Sequence, residues 1–170
     1  AIFVGGFTAQ AALAVCAADA AALVQLTEHN LLVQRADRWQ MLEMVREFAL
    51  SELNHTKQRH ERNQVQQRHT AYFVDQATAQ LPPRSVGDVP DSLRSAPIAP
   101  DYDNYCAALT HAIAAQDGDA ALTLCSRLGT FWETEGYLHE GTRLTQAVVA
   151  MPTARDTWLR LAALERIAIL

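Results

Sequence analysis

The sequence RWQMLEMVREFAL, from Arg38 to Leu50, is the most informative part of the chain for predicting its fold. An extended segment runs there into an amphipathic helix without an intervening turn residue. Apolar residues recur at helical spacing and predict the packed face of this helix; they are Met41, Val45, Phe48 and Leu53. The charged residues available for its solvent face are Glu43, Arg46, Glu47 and Glu52.

The length and composition predict a globular protein rich in helix. Of the 170 residues, 49% are hydrophobic and 19% are charged, as is ordinary for soluble globular proteins. Alanine is frequent and glycine is sparse, which favours helix. No apolar run approaches the roughly 18 to 20 residues that cross a bilayer, and no signal peptide opens the chain. A cytoplasmic location without a membrane partner is therefore expected.

Both ends of the sequence are apolar. The chain opens on AIFV (1–4) without an initiator Met, and it closes on IAIL (167–170). Natural termini of this kind would expose apolar surface or fray. The sequence therefore predicts a fragment excised from a longer parent protein.

The cysteines and histidines predict no metal site. Cys16, Cys106 and Cys125 are widely spaced, and no C-x-x-C pattern occurs, so reduced and buried thiols are expected rather than zinc ligands or disulfides. His55 and His60 are five residues apart. That spacing does not place two imidazoles on one helix face.

Charge is distributed unevenly along the chain. Residues 34–70 carry seven Lys or Arg against five acids, a net charge of +2, whereas residues 71–141 carry three Arg against ten acids, a net charge of −7. An excess of two positive charges is meagre for binding phosphate or nucleic acid. The acidic second half argues against nucleic acid there.

Two helices and two strands are predicted before the helix that follows Arg38. Gly5-Gly6 ends the opening apolar segment, Thr8 is the predicted N-cap of a helix to about Ala17, and Asp19 is that of a second helix over 20–32. The inward-facing residues of the second helix are Leu23, Leu26 and Leu31. Two strands around a turn at 36–37 follow, over Val33–Arg35 and Arg38–Leu42. This order predicts a winged helix whose first helix is mostly missing.

The second half of the chain predicts helix pairs. Residues 54–67 form a polar run expected to be a solvated helix end or loop, 68–81 are helical, and five prolines mark 82–100 as an irregular connector. Further helices are predicted over 102–116, 119–134, 137–151 and 154–170. The two pairs begin at Tyr102 and Tyr137, about 35 residues apart, a period typical of tetratricopeptide-like packing.

Several segments, in the same order, resemble one protein family. Three segments resemble the winged-helix part of bacterial STAND-class signalling ATPases, which are the AAA-related regulators of the LuxR and SARP transcription-factor type. They are FVGGFT (3–8), LTEHNLL (26–32) and RWQMLEMVREFA (38–49). The helix that follows in this family resembles RHTAYF (68–73). The start of its tetratricopeptide-like sensor array resembles DNYCAAL (103–109), GDAAL (118–122) and FWETEGY (131–137).

The resemblance implies a regulatory role. In such proteins a P-loop domain binds ADP or ATP upstream of the winged helix, which locks the ADP state. The helical repeats bind an inducer or a protein partner, and another domain of the parent binds DNA. This chain contains no G-x-x-x-x-G-K-[ST] sequence. No cofactor in the fragment itself and no catalytic activity are therefore expected.

One position departs from the family pattern. Many relatives carry a Met-His-Asp-like triplet at the junction between strand and helix, where the His reaches the β-phosphate of ADP. The matching residues here are Met41, Leu42 and Glu43, and leucine has no donor for a phosphate. Packing of Met41 and Leu42 beneath the wing is the favoured interpretation, and a nucleotide-facing junction is the alternative.

The residues bear on two other functional classes. A DNA-binding winged helix with a helical dimerisation tail is the alternative function, although residues 20–32 contain no Lys or Arg to contact a duplex. A hydrolase is not supported, because no G-x-S-x-G or zincin pattern occurs. The aromatics near the helix turns predict mainly packing. A corner formed by Trp132, Glu133 and Tyr137 is the candidate ligand or partner surface.

The sequence thus predicts a mostly α protein with three parts. These are a truncated winged helix with a two-stranded wing over 1–56, a connecting helix and Pro-rich linker over 57–101, and tetratricopeptide-like antiparallel helix pairs over 102–170. The predicted function is that of a non-catalytic regulatory and sensor fragment of a STAND-type transcriptional regulator. Its expected partners are the upstream nucleotide-binding domain and an unknown inducer or protein.

Overall fold

A computed structural model describes residues 1–53, 59–80, 98–155, 159–161 and 164. The chain is mostly helical and contains a small antiparallel sheet. Contacts divide it into two compact units, Ala1–Tyr72 and Phe73–Leu170. The predicted domain boundaries at 56/57 and 101/102 stay predictions. The first of them and most of the Pro-rich connector lie outside the described residues, as does Trp158, one of the aromatics near the predicted helix turns.

The first unit contains three short strands and the helices between and after them. Its elements are β1 (Gly6–Thr8), α1 (Ala9–Cys16), α2 (Ala20–Glu28), β2 (Leu32–Arg35), β3 (Arg38–Met41), α3 (Glu43–Leu53) and the first part of α4 (Arg59–Gln80). The helix predicted from residue 68 therefore begins earlier, at Arg59. Residues 59–67 are helical because the polar run there contains no helix-breaking Gly or Pro.

Helices α1 and α2 begin at the predicted caps. The Thr8 hydroxyl accepts a hydrogen bond from the Ala11 N–H at 3.2 Å, and the Asp19 carboxylate accepts one from the Ala22 N–H at 2.9 Å. Each bond satisfies a backbone donor that the first helical turn leaves unpaired. Ala17 adopts the left-handed conformation, with φ at 55°, and ends α1. Both predicted N-caps are confirmed.

The chain bends by 105° between α1 and α2, across a three-residue connection. Within the described residues, no single helix is long and apolar enough to span a bilayer. The α1–α2 pair meets that test by length and composition only when its two bent halves are taken together.

The sheet has three strands in the order β1-β3-β2, and both pairings are antiparallel. The predicted pair of strands is confirmed as the β2–β3 hairpin, and β1 is a third strand that the sequence did not indicate. Gly5, with φ at 78°, turns the chain so that the next three residues pair with β3. Across this pairing, Phe7 lies opposite Trp39, and the Arg38 guanidinium donates to the Gly6 carbonyl at 2.8 Å.

Helix α2 is shorter than predicted. It ends at Glu28, because Asn30 adopts a left-handed conformation, with φ at 57°, and reverses the chain into β2. Leu23 is buried as predicted, whereas Leu31 is exposed. The next residue, Leu32, is the buried one, since it is the first residue of β2.

The core of the first unit lies among β1, α1, α2 and α4. Its buried apolar residues include Phe3, Phe7, Ala11, Ala12, Val15, Leu23 and Leu32. The rings of Phe3 and Phe7 stack with centroids 4.5 Å apart, and the buried imidazole of His69 lies 5.4 Å from Phe3. This aromatic contact fixes α4 to the start of the chain within the unit.

The described elements of the second unit are helical. Its elements are the last part of α4, a 3₁₀ turn (Ala99–Asp101), α5 (Tyr102–Ala114), α6 (Gly118–Glu135) and α7 (Leu138–Val149). Residues 159–161 and 164 are also helical, and the rest of the helix predicted over 154–170 lies largely outside the described residues. The helices predicted over 102–116, 119–134 and 137–151 are confirmed.

Short connections make α5, α6 and α7 consecutive packed neighbours. The Asp117 carboxylate accepts from the Ala120 N–H at 3.1 Å and starts α6, and Gly136, with φ at 80°, ends it. Small residues allow the close approach: Ala108, Ala112 and Ala121 are fully buried. Arg160 donates to the carbonyls of Ala154 at 2.7 Å and Val149 at 2.8 Å, and the second bond satisfies an acceptor left open at the end of α7.

Candidate functional site

The strand-to-helix junction over residues 41–43 is expected to pack beneath the wing, with a nucleotide-facing position as the alternative. Met41 ends β3 opposite Leu32 and is half-buried, whereas 51% of Leu42 is exposed. Glu43 is exposed, and its two carboxylate oxygens accept from the Arg46 guanidinium at 2.7 and 3.1 Å. The expectation that Leu42 packs beneath the wing is therefore wrong, because Met41 fills the last inward position of the strand and the next residue points away.

The electrostatics of this junction do not favour phosphate. The hydrogen bond from Arg46 holds the pKa of Glu43 below its usual value, so this carboxylate is ionised at neutral pH. Its negative charge opposes an anion, and Leu42 supplies no donor. The Arg46 guanidinium, the nearest cation on α3, is already bonded to Glu43.

Helix α3 carries the most exposed apolar side chains among the described residues. Met44 is 84% exposed and Phe48 is 67% exposed, and their i, i+4 spacing places them on the same side of the helix. We call this side the outer α3 face; its exposed residues are Glu43, Met44, Glu47, Phe48, Ser51 and Glu52. The prediction that Phe48 packs inward is wrong, because Val45, Ala49 and Leu53 occupy the more covered side.

Helix α2 offers a different kind of surface. None of its residues is Lys or Arg, and Val24, near its centre, is exposed. A helix that reads the DNA major groove normally presents basic and amide side chains there. The exposed side of α2 instead consists of Ala20, Ala21, Val24, Gln25 and Glu28.

In the second unit, an aromatic corner forms where α5, α6 and α7 meet. The ring of Tyr102 packs on Phe131 at 4.8 Å and on Tyr137 at 4.7 Å, and Phe131 and Tyr137 are 5.7 Å apart. The indole N–H of Trp132 donates to the Tyr102 hydroxyl at 3.2 Å. That hydroxyl in turn donates to Glu140 Oε2 at 2.6 Å. We define the aromatic corner as Tyr102, Phe131, Trp132, Tyr137 and Glu140.

The members of the predicted surface differ in exposure. Tyr137 is 44% exposed, Glu133 is half-buried, and Trp132 is fully buried. Trp132 therefore contributes no surface. The indole fits inside because Gly141 has no side chain, and a Cβ atom there would lie 2.8 Å from the Trp132 ring. The structure brings Tyr137 together with Tyr102 and Glu140, two residues that the sequence did not indicate.

Burial and hydrogen bonding shift the titration of the corner. Burial, together with the bond to Glu140, raises the pKa of Tyr102 well above its usual value, so the hydroxyl stays protonated and donates. Burial also raises the pKa of Cys106 to about 12. Both groups are neutral at physiological pH. The charged groups that act on Cys106 here are Glu140, Asp103 and Arg143.

The chain has no counterpart in the comparisons with known proteins. No protein-family model, no curated protein and no solved structure matches it. In the parts of the chain that the structure describes, no group of three or more His, Cys, Asp or Glu side chains is arranged to hold a metal ion. The family membership inferred from the sequence motifs stays a prediction.

Proposed function

We propose that this chain is a non-catalytic regulatory and sensor segment of a cytoplasmic STAND-type ATPase that regulates transcription. It acts by interdomain locking and by binding an inducer or partner. In this proposal, residues 1–56 are a winged-helix domain, 57–101 are a connecting helix and Pro-rich linker, and 102–170 are tetratricopeptide-like helix pairs. The single observation that carries the proposal is the outer α3 face.

The order and geometry of the first elements support a winged helix. Two helices joined by three residues and bent by 105° match the helix-turn-helix arrangement. The strands before and after them form one antiparallel sheet with β3 at its centre. A β-hairpin that follows the second helix directly is the wing of such a domain.

The surface of this unit supports protein contact more than DNA contact. Complete burial of an apolar side chain of the size of Met44 or Phe48 stabilises a protein by roughly 1.5 to 3 kcal/mol relative to leaving it in water. Their presence on one helix side marks an interaction surface. We assign its occupant as the nucleotide-binding domain of the same polypeptide. The lock then rests on apolar contact, since Leu42 offers no group for a phosphate.

The second unit supports the sensor role. Consecutive antiparallel helices with buried alanines at their contacts form a scaffold on which further pairs stack. Its turn between α6 and α7 carries the exposed ring of Tyr137. A rigid scaffold that presents one aromatic ring at a turn suits the capture of an inducer or partner.

The experiment uses the polypeptide encoded by the complete reading frame. We expect a G-x-x-x-x-G-K-[ST] sequence roughly 200 to 300 residues before Ala1, a distance of one or two domains. In that polypeptide, Met44→Ser with Phe48→Ser should raise the dissociation rate of ADP at least about tenfold, because the interdomain contact loses two apolar anchors.

The matched control is Leu13→Ser, which removes an exposed apolar side chain from α1 instead. It should leave ADP dissociation within about twofold of the unaltered protein. A reading frame without the phosphate-binding motif would overturn the proposal. So would equal effects of the α1 and α3 variants, since the outer α3 face would then have no special role.

A second candidate function is a DNA-binding winged helix with a helical dimerisation tail. The observation in its favour is the 105° bend between α1 and α2, which is the geometry of DNA-reading helix pairs. The residues of α2 oppose it, because no Lys or Arg is present to neutralise phosphates.

A further inference from the structure

We infer that the aromatic corner is a binding site for a guanidinium group, held between the exposed ring of Tyr137 and the carboxylate of Glu140. This inference rests on the proposed function and specifies the chemical group of the inducer or partner that the helical repeats bind. The ligand is an arginine side chain or a small molecule carrying the same group.

The carboxylate of Glu140 accepts a hydrogen bond from α5, and a residue of α6 orients the donor of that bond. The Trp132 indole on α6 donates to the Tyr102 hydroxyl on α5, which donates to Glu140 Oε2 on α7. The Tyr102 hydroxyl lies 2.6 Å from this oxygen, a distance within the range of hydrogen bonds from a hydroxyl to a carboxylate. The relay therefore holds a negative charge in a set position, which is what a preorganised cation site requires.

One oxygen of that carboxylate remains available. Glu140 is half-buried, and in the described parts of the chain its Oε1 accepts no hydrogen bond and Glu140 forms no ion pair. Arg143, one turn further along α7, is exposed and does not pair with it. A carboxylate that is fixed on one side and open on the other can accept a donor from outside the chain.

The ring of Tyr137 supplies the second contact. It packs on Tyr102, the residue whose hydroxyl holds Glu140, and 44% of Tyr137 is accessible. A guanidinium group stacks on aromatic rings and also pairs with carboxylates through its planar donors. A compact ammonium group has no flat surface to stack. The pair of an accessible ring and an open carboxylate therefore favours guanidinium.

The surrounding charge has the sign that a cation needs. Glu133 is half-buried and Glu135 is exposed in the last turn of α6, and Asp103 is exposed in the first turn of α5. Arg143 is the basic residue of this neighbourhood, and its charge lowers the pKa of Cys106 only as a minor contribution. An anionic ligand would meet several carboxylates here.

The test is an NMR titration of the 170-residue chain. The Trp132 indole N–H resonance is assigned by its loss in Trp132→Phe, and it reports on the relay. The probe is N-acetyl-arginine-methylamide, and the neutral comparison is N-acetyl-citrulline-methylamide, which has nearly the same shape. We expect saturable shifts with the arginine probe and at least about tenfold weaker binding of the citrulline probe.

Variants distinguish binding at this site from nonspecific electrostatic attraction of the arginine probe to acidic residues. Glu140→Gln and Tyr137→Leu should each weaken arginine binding at least about fivefold, and Glu135→Gln, the matched control, should leave it within about twofold. Tyr137→Leu keeps an apolar side chain over Tyr102 and should retain the fold. The test therefore still works if Glu140→Gln disturbs the fold. Equal binding of the two probes, or an equal effect of Glu135→Gln, would overturn the inference.

The source of the guanidinium is a further arm of the titration. Tighter binding of an arginine-containing pentapeptide than of agmatine would support the site and assign it to a protein partner. The reverse order would also support it and assign it to a small-molecule inducer. Loss of the proposed function is judged separately, by ADP dissociation from the complete polypeptide, so the two failures are distinguishable.

Discussion

Gly141 shows how one residue shapes the aromatic corner. A side chain at this position would meet the indole of Trp132 at 2.8 Å, and Trp132 is fully buried. The indole cannot move outward without losing its hydrogen bond to Tyr102. The absence of a single methyl group is therefore what allows α7 to close over α6.

We predict that Gly141→Ala destabilises the chain by about 1 to 3 kcal/mol, because overpacking a closed core forces side chains and backbone to shift. Urea unfolding would measure the loss, and the near-ultraviolet circular dichroism of Trp132 should change with it. Gln146→Ala, an exposed position of the same helix, should stay within about 0.5 kcal/mol. Equal stability of both variants would contradict the packing argument.

The three cysteines should differ in reactivity. The prediction of buried thiols is wrong for Cys16, which is exposed. Cys106 is partly covered, and Cys125 is buried with its thiol directed at the Thr145 hydroxyl at 3.4 Å. Only the thiolate reacts with alkylating reagents. Burial raises the pKa of Cys106 to about 12, so this thiol is protonated at pH 8. Burial of its sulfur raises the pKa of Cys16 as well, though its surface is accessible.

At pH 8 we therefore expect iodoacetamide to label Cys16 first, and Cys106 and Cys125 only after unfolding. The rate at Cys16 should rise with pH above 8, since the thiolate fraction grows as the pH approaches a raised pKa. Mass spectrometry of digested peptides would locate the label. Cys16→Ser should abolish the fast phase, and fast labelling of Cys106 in the folded chain would contradict the assigned pKa.

At the scale of the element, the helix caps were the most predictable feature. Thr8 and Asp19 are recognisable because each is a short polar residue directly before an apolar helical pattern, and their bonds lie within three residues. The end of α2 was less predictable. It depends on the left-handed conformation of Asn30, which the pairing of Leu32 with Met41 of β3 stabilises.

We predict that Asp19→Ala costs about 1 kcal/mol, within the range of 0.5 to 2 kcal/mol typical of a lost N-cap. The Ala22 N–H would lose its acceptor, and α2 would fray from its first turn. Thermal unfolding followed at 222 nm would show the lower midpoint. The control is Gln10→Ala, at an exposed position of α1. It should change the free energy of unfolding by less than about 0.5 kcal/mol.

Strand β1 and the orientation of α3 could not be predicted from local sequence. A strand of three residues exists only because β3, some thirty residues away, pairs with it, and local propensity does not contain that information. Helix α3 has apolar residues on more than one side, so its periodicity did not fix which side packs. Phe48 fits the helical spacing and still lies outside.

At the scale of the whole molecule, the charge of the chain bears on its partners. The formal net charge is −5, and α2 lacks basic residues. Affinity for duplex DNA depends mainly on neutralising phosphates. The boundary between the two compact units falls within α4, where neither the polar run nor the Pro-rich segment would place it. The aromatic corner could not be predicted from the sequence either, because Tyr102 and Glu140 are 38 residues apart.

We predict that the chain at micromolar concentration does not retard a random 30-base-pair duplex in a mobility-shift assay at low salt. The reason is that electrostatic repulsion from an acidic chain outweighs the few available cations. Gln25→Lys with Glu28→Lys on α2 should introduce weak, salt-sensitive retardation. Tight binding by the unaltered chain, lost on adding salt, would favour the DNA-binding alternative.

The arrangement of the three strands also bears on self-assembly. β3 is paired along both sides, so the open edges in the described sheet belong to β1, with three residues, and β2, with four. Gln34 and Arg35 are exposed on β2. Very short edges that carry a charge are poor templates for another molecule's backbone. The protein should therefore resist fibril growth through this sheet even when highly concentrated.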